Sequence, residues 1–344
     1  MTPRAVARAL PGWLSLALVL GCSQPAPDAS PAPERDPPEA AVEAGAYEYQ
    51  HLDVFTDRPL TGNQLAVFLR PEGLTADQMM AITREMAFSE TTFVFPAETP
   101  DTDFRVRIFG LNSGGELPMA GHPTIGTVFA LADAGLIEPG RPRLVLGLGI
   151  GPTPLELSWR GSELDFVWMQ QLAPTVGPDI TDRDAVAAAL GVEAADLVTD
   201  LPIQQISCGA PFVMVPLATR VAVDRARLDR DAMGAVLDRF GAVRRGIMVF
   251  STEGADATAY SRMFGFGVAE DPATGNASGP LGAYLVHQGL VPRSEGEQIV
   301  SRQGVAMGRP SRVHIRIRSV GEAITEVQVG GRAALVGRGS VRVR

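Results

Sequence analysis

Gly121-His-Pro-Thr-Ile-Gly-Thr-Val-Phe-Ala-Leu-Ala-Asp-Ala-Gly-Leu-Ile137 has a second, altered copy further along the chain, Gly275-Asn-Ala-Ser-Gly-Pro-Leu-Gly-Ala-Tyr-Leu-Val-His-Gln-Gly-Leu-Val291. The copies align without a gap at an offset of 275 − 121 = 154 positions. Gly121/Gly275, Leu131/Leu285, Gly135/Gly289 and Leu136/Leu290 coincide, while Thr124/Ser278 and Ile137/Val291 are near matches. Upstream, Arg107-Ile-Phe-Gly110 is echoed by Arg262-Met-Phe-Gly265, one residue out of register. Solenoid units run about 20 to 50 residues, so a period this long indicates a duplicated domain. Each copy is a Gly-led turn feeding an apolar helix. Pro123 at the first helical position and Gly135 near the end predict the first helix over 123–136. Free N–H groups at a helix start carry partial positive charge and bind carboxylates or oxyanions. Two such starts facing each other would grip an acidic or enolate-like molecule from both sides, and similar halves place their site in the cleft between them.

Outward from the first copy, short apolar runs read as strands. Leu65–Leu69 ends at Pro71-Glu72-Gly73, Thr91–Phe95 is β-branched and aromatic, and Phe104–Phe109 alternates apolar residues with Arg, predicting one wet face. Thr75-Ala-Asp-Gln78 is a capping box opening a helix with apolar positions Met79, Ile82 and Met86. From Tyr47 onward short apolar runs thus alternate with two or three helical patterns, and the fold expected of the chain is α+β.

Composition bounds the function. With 45% apolar and 20% charged residues in 344, the chain can bury a large core. All 30 basic residues are Arg, and the net charge is −9. No basic cluster fit for phosphate backbones is visible, which excludes nucleic acid as a partner. Four scattered His and two Cys, Cys22 and Cys208, give no metal-ligand spacing and no disulfide scaffold, so no metal is expected. Cys208, in Ile-Ser-Cys-Gly-Ala-Pro, reads as a small buried apolar residue.

The first 46 residues read as address and tether. Arg4 and Arg8 precede an apolar run from Ala9 to Leu20, too short to span a bilayer, and the pattern predicts a signal peptide over 1–21. Val19-Leu-Gly-Cys22 resembles the bacterial lipobox, which implies lipid attachment at Cys22, export, and membrane association through that lipid. An ordinary cleaved signal, or a cytoplasmic chain if the segment does not work as one, is the alternative. Residues 22–46, rich in Pro, Ala and Glu, form an extended tether that has too little apolar surface to fold.

Four segments, in order, resemble the PhzF-like isomerases of phenazine biosynthesis, relatives of diaminopimelate epimerase and proline racemase. They are Asp53-Val-Phe-Thr-Asp-Arg-Pro-Leu-Thr-Gly-Asn-Gln-Leu-Ala-Val67, Glu85-Met-Ala-Phe-Ser-Glu-Thr-Thr-Phe-Val94, Gly115-Glu-Leu-Pro-Met-Ala-Gly-His-Pro-Thr124 and Glu270-Asp-Pro-Ala-Thr-Gly-Asn-Ala-Ser-Gly-Pro-Leu-Gly282. The resemblance implies two pseudo-symmetric domains, 47–171 and 172–344, each a curved, mostly antiparallel sheet around a central helix, with terminal strands free to cross between them. It implies an isomerase with no cofactor, acting on a small acidic metabolite; a homodimer is compatible with it. Glu90 is the implied proton carrier, with Phe88, Phe93 and Phe95 as apolar surroundings that raise its pKa. His122 and Asp271 are the implied partners in catalysis, and Gly121, Pro123, Gly275 and Asn276 the substrate-binding positions. Asn276 stands where many relatives carry Ser. The two thiols of the racemase branch correspond to Ala120 and Pro272, neither of which moves a proton, so two-thiol racemisation is excluded. A lipid-anchored binding protein using the same cleft without catalysis is the second reading.

Overall fold

The computed structural model describes residues 45–267 and 270–343. The expected signal segment, Cys22 and the tether up to residue 44 lie outside the described residues. The described residues form β1 (Ala46–Val54), then β2 (Asn63–Phe68), α1 (Ala76–Met86), β3 (Glu90–Pro96), β4 (Phe104–Gly110), β5 (Gly115–Leu117) and α2 (Gly121–Asp133). β6 (Arg143–Leu148), β7 (Gly151–Arg160) and β8 (Glu163–Gln171) follow. The expected capping box forms: Thr75 Oγ1 accepts from Gln78 N–H, and Gln78 Oε1 accepts from Thr75 N–H at 2.9 Å. Met79 and Ile82 are buried beneath α1, and Met86 is half-buried. The wet face of β4 is also found, where Arg107 Nη2 meets Glu116 Oε2 at 2.6 Å.

α2 starts two residues before the expected Pro123. Ala120, in extended conformation, is its N-cap, so Pro123 is the third helical residue. First-turn N–H groups have no intrahelical acceptor, and a proline there removes no bond. The helix is buried from Gly121 through Leu131 and apolar on all sides, as a helix must be when sheet surrounds it. It packs on β1, β2, β3 and β8.

A second pass repeats the first. β9 (Thr175–Asp179), α3 (Arg183–Leu190), β10 (Gln204–Ser207), β11 (Pro211–Pro216), α4 (Arg220–Arg225), α5 (Arg230–Arg239), β12 (Gly246–Ser251), β13 (Ala259–Gly265) and α6 (Gly275–His287) lead to β14 (Ile299–Gln303), β15 (Ser311–Val320), β16 (Ala323–Gly331) and β17 (Ala333–Arg342). β2 and β3 are parallel, β3 and β4 antiparallel, β4 and β6 parallel, and β6, β7 and β8 successively antiparallel. The series β11–β12–β13–β14–β15–β16 reproduces these senses one for one. The two passes join where β8 pairs with β16. The fold is therefore α+β and pseudo-symmetric, with a mostly antiparallel sheet around each buried helix.

The last strand of each series is exchanged. β17, at the C-terminus, pairs antiparallel with β1 and closes the sheet over α2, whereas β9 pairs with β10 and flanks the sheet over α6. Phe55 marks the seam. Its backbone is left-handed (φ 65°), unusual for a bulky residue, and its side chain is fully buried. Its N–H donates to the Arg332 carbonyl at 2.8 Å, and its own carbonyl accepts from Arg312 N–H at 2.8 Å. Cys208 is buried as expected, and burial pushes its thiol up to about 12.

Candidate active site

The two helix starts meet head to head. A Cβ added at Gly121 would lie 3.2 Å from the Gly275 Cα and 3.4 Å from Asn276 N, so glycine at both positions is what allows this approach. Neither start has a side-chain cap. Ala120 has no group to offer, and the Thr274 hydroxyl donates instead to Asp271 Oδ2. Among the described residues, the N–H groups of Gly121, His122, Gly275 and Asn276 have no intramolecular acceptor. They make a nest for negative charge built from both repeats. The structure also corrects one correspondence. The residue facing Ala120 across the pseudo-symmetry is Thr274, the other N-cap, not Pro272. Thr274 carries no thiol, so two-thiol chemistry stays excluded.

Around this nest the structure brings together Glu90, His122 and Asp271. Glu90 opens β3, and its Oε2 lies 3.5 Å from His122 Nδ1. His122 Nε2 lies 3.2 Å from the Gln64 carbonyl, which can only accept. Nε2 therefore carries the proton of the neutral ring, and Nδ1 presents its lone pair toward Glu90. Asn63, which the sequence reading quoted in a motif but gave no role, is the hub. Its Nδ2 donates to Asp271 Oδ1 at 2.8 Å and to the Ala273 carbonyl at 2.9 Å, and it sits 3.4 Å from His122 Nδ1. Gln303 supports the other side, donating to the Asp271 carbonyl at 2.7 Å and accepting from Thr274 N–H at 3.1 Å.

Burial sets the protonation of all three groups. It holds Glu90 above the ordinary carboxylate range. It pushes His122 down to about 4 against the upward pull of Asp271 and the Gln64 carbonyl, so the imidazole is neutral near pH 7. It raises Asp271 to about 6; the neighbouring Glu90 charge adds to the rise, while His122, Thr274 and Asn63 oppose it. The apolar groups responsible are not those expected. Strand alternation turns Phe93 away from Glu90 into the cluster beneath α1, with Phe88 and Phe95 packed against it. Leu117, Met119, Phe212 and Met263 line the cavity instead, with a volume of about 210 Å³. Glu90, Gly121, His122, Asp271, Gly275 and Asn276 all border it, as does Arg245; Pro123 does not, being turned into the core. Among the described residues, no three His, Cys, Asp or Glu side chains form a metal-holding group.

The phenazine biosynthesis-like protein family model matches residues 52–339. Trans-2,3-dihydro-3-hydroxyanthranilate isomerase of Pseudomonas aeruginosa is 35% identical over 295 residues, covering 85% of this chain and 98% of the relative. An uncharacterized isomerase of Clostridium acetobutylicum is 30% identical over 84% of this chain and 96% of its own length. Among solved structures, a predicted epimerase from P. aeruginosa superposes with a TM-score of 0.72 at 34% identity, over 87% of this chain and 100% of that one. A PhzF-family protein from Bacillus anthracis superposes with a TM-score of 0.77 at 28% identity, over 87% and 99%. A hydroxyproline epimerase from Agrobacterium vitis, at 16% identity and TM-score 0.60, shares the fold. The chain thus belongs to the phenazine biosynthesis-like protein family, and it is an isomerase on the diaminopimelate epimerase-like fold.

Proposed function

We propose that the protein isomerises a small carboxylic acid by moving one proton at a carbon next to its carboxylate or enol, with Glu90 as the carrier. One observation carries this reading: a carboxyl group raised by burial stands beside a neutral imidazole, at a nest of four unused N–H groups. The substrate carboxylate takes the nest. Glu90, as carboxylate, accepts the proton from carbon, and the electron pair left behind delocalises into the substrate carboxylate as an enolate. The N–H groups hold that charge more strongly than the ground state, which is where the rate comes from. Glu90 then returns the same proton to a different carbon, one conjugated with the enolate through a C=C bond that shifts as the new C–H bond forms, so the enzyme ends as it began. His122 and Asp271 bracket this transfer, and Asn63 fixes them relative to each other.

The P. aeruginosa relative is named for the isomerisation of a dihydro-hydroxyanthranilate, itself a small carboxylic acid, which supports the substrate class. The proposed place of action is outside the cytoplasm, with Cys22 lipidated and residues 23–46 as spacer; the basic start, the apolar run and Cys22 support it. Mass spectrometry of the mature N-terminus is expected to show a diacylated Cys22, and a chain that still begins at Met1 would refute it. For the chemistry, Glu90→Gln is expected to reduce turnover at least about a thousandfold while circular dichroism and Tm stay near wild type. Wild-type rates in that variant, measured as product formed, would sink the mechanism.

A further inference from the structure

The pseudo-symmetry locates a group in the cavity that no motif suggested. Glu90 pairs with Gly110 at the end of β4, and Gly246 pairs with Gly265 at the end of β13. Gly110 and Gly265 are the matched ends of the repeated Arg-x-Phe-Gly segment. The second-repeat counterpart of Ser89-Glu90 is therefore Arg245-Gly246, and Ser89 and Arg245 line the same cavity. Glu90 itself is matched by Gly246, which has no side chain, and the second repeat instead brings a guanidinium to the cavity at the position of Ser89.

The backbone of Arg245 is fixed. Arg245 N–H donates to the Val243 carbonyl at 3.0 Å, and its own carbonyl accepts from Phe266 N–H at 3.2 Å. Gln205 clamps Val243 from both sides, donating at 2.9 Å and accepting at 3.0 Å. Gly246 packs so closely on Phe212 and Met263 that an added Cβ would lie 3.0 Å from each. The guanidinium lies over the Phe212 ring, 5.6 Å from its centroid. The adjacent Arg244 is tied to Asp238 at 2.8 Å, whereas Arg245 has no carboxylate partner among the described residues. A guanidinium whose backbone is held, which lines a cavity and has no carboxylate partner among the described residues, is a place for an anion.

Resting on the isomerase reading above, we infer that Arg245 binds a second acidic group of the substrate, so that the natural substrate is a small dicarboxylate or an equivalent diacid. One carboxylate sits on the helix-start nest and the other on Arg245. Glu90 reaches the carbon between them. The volume of about 210 Å³ lies below the roughly 300–1,000 Å³ of drug-sized pockets and suits a molecule of a few carbons.

The test is calorimetric titration at pH 7 and low salt with matched acids: propionate against malonate, butyrate against succinate, valerate against glutarate. Wild-type protein is expected to bind the favoured diacid at least about tenfold more tightly than its monoacid partner. Arg245→Gln is expected to abolish that preference without changing monoacid affinity, and Arg245→Lys to restore part of it. Equal binding of monoacid and diacid by wild type, or a preference that survives in Arg245→Gln, overturns the inference and leaves the helix-start nest standing. Failure of wild type to bind any of these acids overturns both.

Discussion

Asp271 shows how one residue trades stability for a task. Its carboxyl is raised to about 6 in the folded chain, against about 4 for a free side chain. The folded state therefore holds this proton more tightly than the unfolded state does. The burial penalty is absent below about pH 4, grows as pH rises to about 6, and is complete above that. Asp271→Asn should accordingly raise stability at pH 7 by on the order of 2 kcal/mol and not at pH 3.5, as read from denaturant midpoints at the two pH values. The same variant should be slow. In the wild type, kcat/KM is expected to fall as pH drops through about 6, a limb belonging to the coupled Glu90–Asp271 pair. In Asp271→Asn the part of that limb that comes from the Asp271 proton should disappear, leaving a single Glu90 ionisation; an unchanged limb would assign it to Glu90 alone. Glu90, His122 and Asp271 were legible in the sequence because they sit in recognisable segments. Asn63 was in such a segment too, but its role is defined by Asp271, 208 positions away, and no local pattern reports such a partner. Arg245 lies in no motif at all.

At the scale of elements, the legible features were those made by neighbours in sequence. The Thr75–Gln78 cap is local chemistry, and it formed as expected. The apolar character of the two repeated helices shows that they are buried, but where α2 begins depends on the extended Ala120 and on the facing helix. Phe93 was misplaced for a related reason: a run of aromatic residues after Glu90 looks like its surroundings until the two-residue period of a strand puts them on opposite faces. The helix junction supplies a prediction of its own. In Gly121→Ala the new Cβ meets the backbone of Gly275 and Asn276, neither of which can rotate aside. The helix starts must part by a few tenths of an ångström. Alanine favours helix by roughly 0.5–1 kcal/mol, which offsets part of the strain, so Tm should change little while kcat/KM falls about tenfold or more. A large Tm loss with retained kcat/KM would show that the glycine serves packing alone.

For the whole molecule, the 154-residue offset shows the duplication and leaves the exchange of final strands invisible, since alternation along a strand tells which side chains face inward and not which strand lies alongside. β17 illustrates this: its partner is the first strand of the fold, with Ala46 opposite Arg342. Truncation after Gly331 would leave every residue of the first repeat present, yet strip β1 of one neighbour and bare an edge. Such a chain is expected to be aggregated or molten by near-ultraviolet dichroism and size-exclusion chromatography; a monomer with native spectra would show that β17 is dispensable.

The pairing of β1 with β17 also sets an order of events in time. A ribosome releases the N-terminal segment first, and for almost the entire period of synthesis the strand that must lie beside it has not yet been made. The first repeat cannot be finished as a unit while the second is still emerging, and the closing contact spans nearly the full length of the chain. Such distant contacts carry the largest loop-closure cost and slow folding. The first repeat therefore stays without its closing strand until β17 is available to pair with β1.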